Sequence, residues 1–331
     1  MGVQKAFAYV GLAKQAAKGA PAAAPTYGFG VRSGSLVDHG IAADYEDYTL
    51  SGASGSDRFA PDLIRASYAP AAKFSVRAHP RLLALLMYAA LGTNVDSGAA
   101  PSFVHTATPG LDLPWLTMWV KYGAEISMLT DLKLAEVDVK WTERGAPEID
   151  VTAAACDAQL GAAAFVPVND EVAQPFFRPV GGTFKYDVLA AGGGAVGRIK
   201  AGEVKITNAL TAIPLSSLPH PDDLFPGGQK VEGMLTVTPD DLTDWRRALT
   251  GAAAGTGIAT SPSVGSMALL MALDANTSWE LDAAAMSWLT DLPDADPKGG
   301  PADLALAFKV KRPADGSAAF TSVVKNALAA V

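Results

Sequence analysis

Residues 73–92 and 233–251 carry the same succession of structural signals twice. The first stretch reads K-F-S-V-R-A-H-P-R-L-L-A-L-L-M-Y-A-A-L-G and the second G-M-L-T-V-T-P-D-D-L-T-D-W-R-R-A-L-T-G. Each is a short run of strand character, then a proline, a helical segment and a glycine. Pro80 and Pro239 stand where a first helical residue has no intrahelical use for its N–H, and Gly92 and Gly251 where the chain leaves the helix. Thr238 suits an N-cap, Asp240 and Asp241 the positive end of the helix, and Arg246 and Arg247 its negative end. Few residues are identical between the copies; what recurs, at an interval of about 160 residues, is the order of signals.

The flanks recur as well. After the first helix come Leu116 to Tyr122, Leu132 to Trp141, a turn at Glu143 to Pro147 and Ile149 to Ala155. After the second come Met267 to Leu273, Ala283 to Leu289, a turn at Asp294 to Pro301 and Leu304 to Arg312. A long irregular stretch precedes each helix, 40–72 and 207–230. Strand candidates at Phe29 to Asp38 and Gly197 to Thr207 precede those. An approximate tandem duplication accounts for this order, and a length of 331 residues accommodates two domains. The aromatic-bearing segment Gly161 to Gly182, with three prolines, is the expected joint. It divides the chain into a first domain over 1–165, a linker over 166–182 and a second domain over 183–331.

Strand periodicity dominates. Leu304, Leu306, Phe308 and Val310 alternate with Ala305, Ala307, Lys309 and Lys311, a period of two with one polar face. Leu132 and Leu134 are followed by Ala135, Val137, Val139 and Trp141, so this strand changes phase and predicts a bulge or a crossing between sheets. With 22 prolines and 32 glycines, turns are frequent and long helices are not expected. The expected fold class is mainly β: two tandem β-sandwich or β-barrel domains, each with one principal helix, at about 80–91 and 240–250, and with long loops.

The chain is 49% hydrophobic, yet no apolar run approaches the roughly 18 residues that span a bilayer. No membrane partner and no secretory leader are expected. An Ala-rich composition explains part of the apolar excess, and burial between subunits the rest. Cys156 stands alone, excluding an intramolecular disulfide, and reads as a small buried hydrophobe.

Candidate chemistry is sparse. His39, His79, His105 and His220 show no metal-ligand spacing. No G-x-S-x-G elbow occurs in a strand–turn–helix context. The glycine-rich stretch 192–197 lacks the P-loop lysine and is followed by a strand pattern, which reads as a loop. Glu46/Asp47, Asp222/Asp223 and Asp240/Asp241 are paired carboxylates, which alone do not assign acid–base catalysis. Trp115, Trp119 and Trp141 read as core or interface residues ahead of a sugar platform. Net charge is −8, and lysine and arginine are scattered singly, against the basic stripe that phosphate binding requires. No catalytic residue, cofactor or metal is expected.

The order Tyr27-Gly-Phe-Gly, then Ser51-Gly-Ala-Ser-Gly-Ser-Asp-Arg58, then Phe74-Ser-Val-Arg-Ala-His-Pro and an apolar helix ending at Gly92 resembles the phage tail tube protein family. Val104-His-Thr-Ala-Thr-Pro109-Gly and Leu113-Pro-Trp-Leu-Thr continue it. The resemblance covers about residues 25–160 and, more faintly, 195–331. It implies a β-sandwich with a flanking helix, units joined into rings through a closed inner β-barrel, and rings stacked into a hollow tail that conducts DNA without binding it specifically. It also implies assembly in the host cytoplasm, location in the virion tail, and tail tip, terminator and tape-measure proteins as further partners. The chain departs from the common type by carrying two units, so three copies are expected to close a pseudo-sixfold ring. Two other classes are weighed beside this one: another tail component, such as a terminator or distal tail protein, and a β-rich carbohydrate-binding module or hydrolase.

The stretch 44–60 combines Gly and Ser with aromatic and charged anchors. Tyr45, Tyr48 and Phe59 are the expected apolar contacts and Arg58 the polar one where one ring or subunit meets the next. Lys205, Lys309 and Lys311 alternate with apolar neighbours and face either into such a tube or out of it.

Overall fold

The computed structural model describes residues 8–30, 36–45, 63–170, 175–187, 199–238, 242–252, 254–260, 264–289 and 303–331; at 8, 42–45 and 63–66 it describes the backbone alone. The fold is mainly β. The first half contributes β1 (Ala8–Lys14), β2 (Tyr27–Gly30), β3 (Ala42–Tyr45), β4 (Leu63–Ser67), β5 (Ala71–Arg77), α1 (Pro80–Leu91), β6 (Gly92–Ala99), β7 (Ser102–Pro109), β8 (Leu116–Tyr122), β9 (Glu125–Thr142) and β10 (Glu148–Leu160). The second contributes β11 (Thr183–Asp187), β12 (Ile199–Pro214), β13 (Pro221–Val237), α2 (Thr243–Thr250), β14 (Val264–Asp274), β15 (Thr277–Leu289), β16 (Leu304–Val310) and β17 (Phe320–Asn326). Fifteen of these strands form one antiparallel sheet, and β3 and β4 pair separately.

The two halves repeat one strand order. In the first, β1 pairs with β8, β8 with β9, β9 with β10 and β10 with β5, and α1 follows β5. In the second, β11 pairs with β14, β14 with β15, β15 with β16 and β16 with β13, and α2 follows β13. The halves also share strands across the linker. Residues 136–142 of β9 pair with 201–207 of β12, and β7 pairs with β17. One hydrophobic cluster draws on both halves, from Val10 and Phe74 to Trp288 and Phe320.

The helices differ as their sequences do. Ten of the twelve residues of α1 are buried, among them Leu82, Leu83, Leu85, Leu86 and Met87, as an all-round apolar helix requires. Gly92 ends it at φ 104°, and a Cβ there would stand 2.4 Å from the Asp112 carbonyl oxygen, so only glycine fits. In α2, Ala248 alone is buried. This helix begins later than the sequence predicts: Leu242 is its N-cap, without a side-chain cap bond. Thr238 does not cap it, because its Oγ1 donates to Asp303 Oδ1 at 3.0 Å and stays with the sheet. Pro239, Asp240 and Asp241 lie outside the described residues.

The phase change in β9 is a bulge. Glu136 pairs with Thr152 and Leu134 with Ala153, so Ala135 is the additional residue. Around it Leu132, Lys133 and Leu134 are all buried. The two stretches predicted to be irregular are partly regular. Residues 207–230 form the outer part of the β12–β13 hairpin, and 40–72 includes β3 paired with β4. Pairing satisfies backbone groups of the described strands in both stretches, and the β12–β13 register shifts beyond Asn208, where Pro226 comes opposite Leu210. In the linker, the Phe177 amide donates to the Ala78 carbonyl at 2.9 Å and its buried ring lies 6.0 Å from that of Trp279.

Candidate functional site

The sheet alternates strictly where the halves join, and this sets its chemistry. Val137, Val139, Val204, Ile206, Leu235, Leu306 and Phe308 point into the core. Their neighbours on β10, β9, β12, β13 and β16 line the opposite face as a charged ladder. On it Lys140 Nζ meets Asp138 at 2.6 Å and Asp150 at 3.1 Å, and Lys205 Nζ meets Glu136 at 2.9 Å. Lys309 lies 3.7 Å from Glu232. The hydrogen bond to Asp138 pushes the Lys140 ammonium above its usual range, and that to Glu136 does the same for Lys205. Burial and the adjacent Asp138 push the Glu203 carboxyl up. Thus Lys205 and Lys309 lie on this face with their charges compensated by carboxylates. The face is wet and mixed in sign.

The second feature is a pair of arms. The β3–β4 hairpin and the outer part of β12–β13 meet where the Tyr68 amide donates to the Pro219 carbonyl at 2.8 Å and the Tyr68 and His220 rings lie 5.4 Å apart. Tyr68 Oη donates to Asp157 at 2.6 Å. Asp222 and Asp223 hold Lys18 at 3.2 and 3.4 Å, so this acidic pair is tied into an ion pair. Of the sequence-predicted contact residues, Tyr45 closes β3 with its backbone opposite Leu63, and its side chain is outside the described set. Tyr48, Arg58 and Phe59 lie outside the described residues, as do Glu46, Asp47 and the glycine-rich stretch 192–197.

Sequence reasoning missed two polar clusters, each built on a buried side chain. Lys133 is 2% exposed; its Nζ donates to Asp112 Oδ1 at 2.7 Å and to the Leu224 carbonyl at 3.1 Å and lies 4.0 Å from the Trp115 ring centroid. Burial pushes the Asp112 carboxyl up, but the Lys133 and Leu113 hydrogen bonds outweigh it and hold the carboxyl low. His105, also buried, places Nδ1 2.6 Å from Asp96 Oδ1 and Nε2 3.1 Å from Asn326 Oδ1. The Asn326 amide donates to the Pro80 carbonyl at 3.0 Å, which ties the last strand to the start of α1. The signal for the first was a lysine inside an apolar run. For the second there was none, because Asn326 lies 221 residues from His105.

These clusters tie separate segments of the chain together. Cys156 is buried, and burial pushes its thiol up to about 12, far from a reactive thiolate. Trp119 and Trp141 are buried in the core. Among the described residues, no group of three or more His, Cys, Asp or Glu side chains is placed to hold a metal ion, and no helix is long and apolar enough to cross a membrane. The surfaces with the most organised chemistry are therefore the charged ladder and the arms. No known family model matches this sequence, and no curated protein matches it.

Proposed function

We propose that this chain is the structural subunit of a phage-type tail tube, in which three copies close a pseudo-sixfold ring and rings stack into a DNA conduit. The observation that carries the reading is the repeated strand order, β1–β8–β9–β10–β5 against β11–β14–β15–β16–β13, with a helix after the last-named strand in each. Two such units side by side, here divided at 166–182, supply two of the six wedges that closed symmetry needs. The β9–β12 pairing is the kind of edge-to-edge contact by which successive units would continue one sheet around a ring. Ring closure would also remove the open edges that otherwise template aggregation. The polar ladder suits the wall of a conduit, since its lysines are neutralised in place. The arms suit contacts to a neighbouring subunit or ring, with Tyr45, Tyr48, Arg58 and Phe59 as the contact residues.

Negative-stain microscopy of the purified protein tests the reading, with native mass measurement of single rings. Rings or tubes with a central hole and three copies per ring are expected. Six copies per ring would put one wedge in each chain, and a dispersed monomer would remove the proposal.

A further inference from the structure

A cleft of about 410 Å³ opens between β7 of the first half and β13, β16 and β17 of the second. Val231 and Phe320, both buried, give it an apolar floor. Lys311 and Arg312 stand on its rim, with Thr108 and Gln229 among the polar groups that line it. The wall is a built one. Gln229 is held by bonds from its Nε2 to the Ala90 carbonyl at 2.8 Å and to Asn208 Oδ1 at 2.9 Å. The Lys311 amide is anchored on the Ala285 carbonyl at 3.0 Å. The turn that follows is fixed by Gly316 at φ 77° and by the Ser317 amide on Asp315 Oδ1 at 2.9 Å.

The two cations differ from the lysines of the charged ladder. Lys140, Lys205 and Lys309 each face a carboxylate. No carboxylate among the described residues stands at ion-pair distance from Lys311 or Arg312. Neighbouring cations with no carboxylate partner among the described residues, above an apolar floor, fit a ligand whose carboxylates flank an aromatic ring. In a chain of net charge −8, the stretch Asp44-Tyr-Glu-Asp-Tyr48 has that composition: three carboxylates and two tyrosines in five residues, with no lysine or arginine.

We propose that the cleft receives the Asp44–Tyr48 stretch of a second copy of this chain, carboxylates on Lys311 and Arg312 and a tyrosine ring on the Val231–Phe320 floor. The proposal rests on the tube reading and supplies the receptor for its first arm. A second copy is favoured over the chain's own segment by the position of the arm. Its base is held at Pro219, beyond the outer end of β13, and Pro221 and Gln229 lie eight positions apart on that strand, about 25 Å of extended chain.

The test uses a fluorescent synthetic peptide of residues 42–50, titrated into full-length protein carrying D44N/E46Q/D47N, whose own stretch no longer competes. Saturable binding is expected, weakened at least about tenfold by adding K311E/R312E. A peptide with the same three neutralising changes is expected not to bind. Absent binding, or binding indifferent to K311E/R312E, overturns the proposal. K311M/R312M, with its melting temperature compared to that of its parent, separates loss of charge from loss of fold. It should weaken binding while the protein melts normally, and unaltered binding counts against the rim. Microscopy of the wild type reads the tube separately. Peptide binding at the cleft without rings would leave the docking and remove the tube, whereas tubes without peptide binding would do the reverse.

Discussion

Trp141 of β9 lies across Gly202 of β12, its register partner, so closely that a Cβ on Gly202 would stand 2.2 Å from Trp141 Cζ2. The indole fills the space a side chain would take, and its other neighbour is Phe184, stacked at 6.4 Å with ring planes 12° apart. The strand junction between the halves is therefore keyed by one aromatic–glycine pair. Gly202→Val is expected to destabilise the protein by about 1–3 kcal/mol, as overpacking does. Trp141→Ala in the same chain should recover part of that loss. Denaturant unfolding of the two single variants and the double gives the coupling, and strict additivity would show that the ring and the glycine do not act together.

The His105 cluster makes an acid-side prediction. Burial pushes the Asp96 carboxyl up, but hydrogen bonds from His105 and Asn94 outweigh it and hold the carboxyl below its ordinary range. A carboxyl depressed by folding contributes stability that is fully present above the unfolded value of about 3.9 and is lost as the pH falls through the folded value. Asp96→Asn should therefore flatten the decline in melting temperature below about pH 4. An unchanged acid limb would exclude Asp96 as a contributor. Asn326→Ala strands the Pro80 carbonyl and a His105 nitrogen, at about 1–3 kcal/mol for an unsatisfied buried group.

Lys133 separates pairing from packing. Lys133 is buried but the Asp112 side chain is 71% exposed. Removing Asp112 therefore leaves a buried charge without its carboxylate, whereas replacing the lysine by an apolar chain of similar length leaves only an exposed carboxylate. Asp112→Ala is expected to destabilise more than Lys133→Met, and Lys133→Met should come close to wild type. Chemical denaturation of both variants reads the order. The reverse order would show that the Leu224 carbonyl and the Trp115 face satisfy the ammonium without Asp112.

The legible and illegible parts of the fold divide by distance along the chain. The apolar run Leu82 to Met87 announced a helix, the alternation of Leu304 to Val310 a one-faced strand, and the Leu134/Ala135 slip a bulge or a crossing between sheets, of which the structure has the bulge. All three are local patterns read from periodicity. The pairings of β9 with β12 and of β7 with β17 were not readable, because pairing between strands distant in sequence leaves no periodic trace. Thr238 misled for a related reason: Asp303, 65 residues away, takes the hydroxyl a helix would have used. Of the candidate site, the composition of 44–48 was legible, but the Lys311–Arg312 cleft exists only once β7, β13, β16 and β17 meet.

The tube reading makes a prediction about nucleic acid that the ladder decides. Lys205 and Lys309 would be available to phosphate if exposed alone, but Glu136 and Glu232 stand 2.9 and 3.7 Å from them. Phosphate binding draws its strength from counterion release at uncompensated cations, so a compensated ladder has little to release. In a ring, the same cancellation is repeated by each copy, and a narrow polar wall strengthens whichever sign remains. Wild-type protein is expected to show no retention of duplex DNA at about 0.15 M salt. Glu136→Gln with Glu232→Gln keeps the shape and uncovers two lysines per chain. That variant should gain DNA binding that disappears as salt is raised. Filter binding across a salt series measures both. Strong salt-sensitive retention by the wild type would show that the wall binds DNA and would overturn the reading that DNA passes without being bound. Indifference of the double variant would place the ladder away from the DNA path.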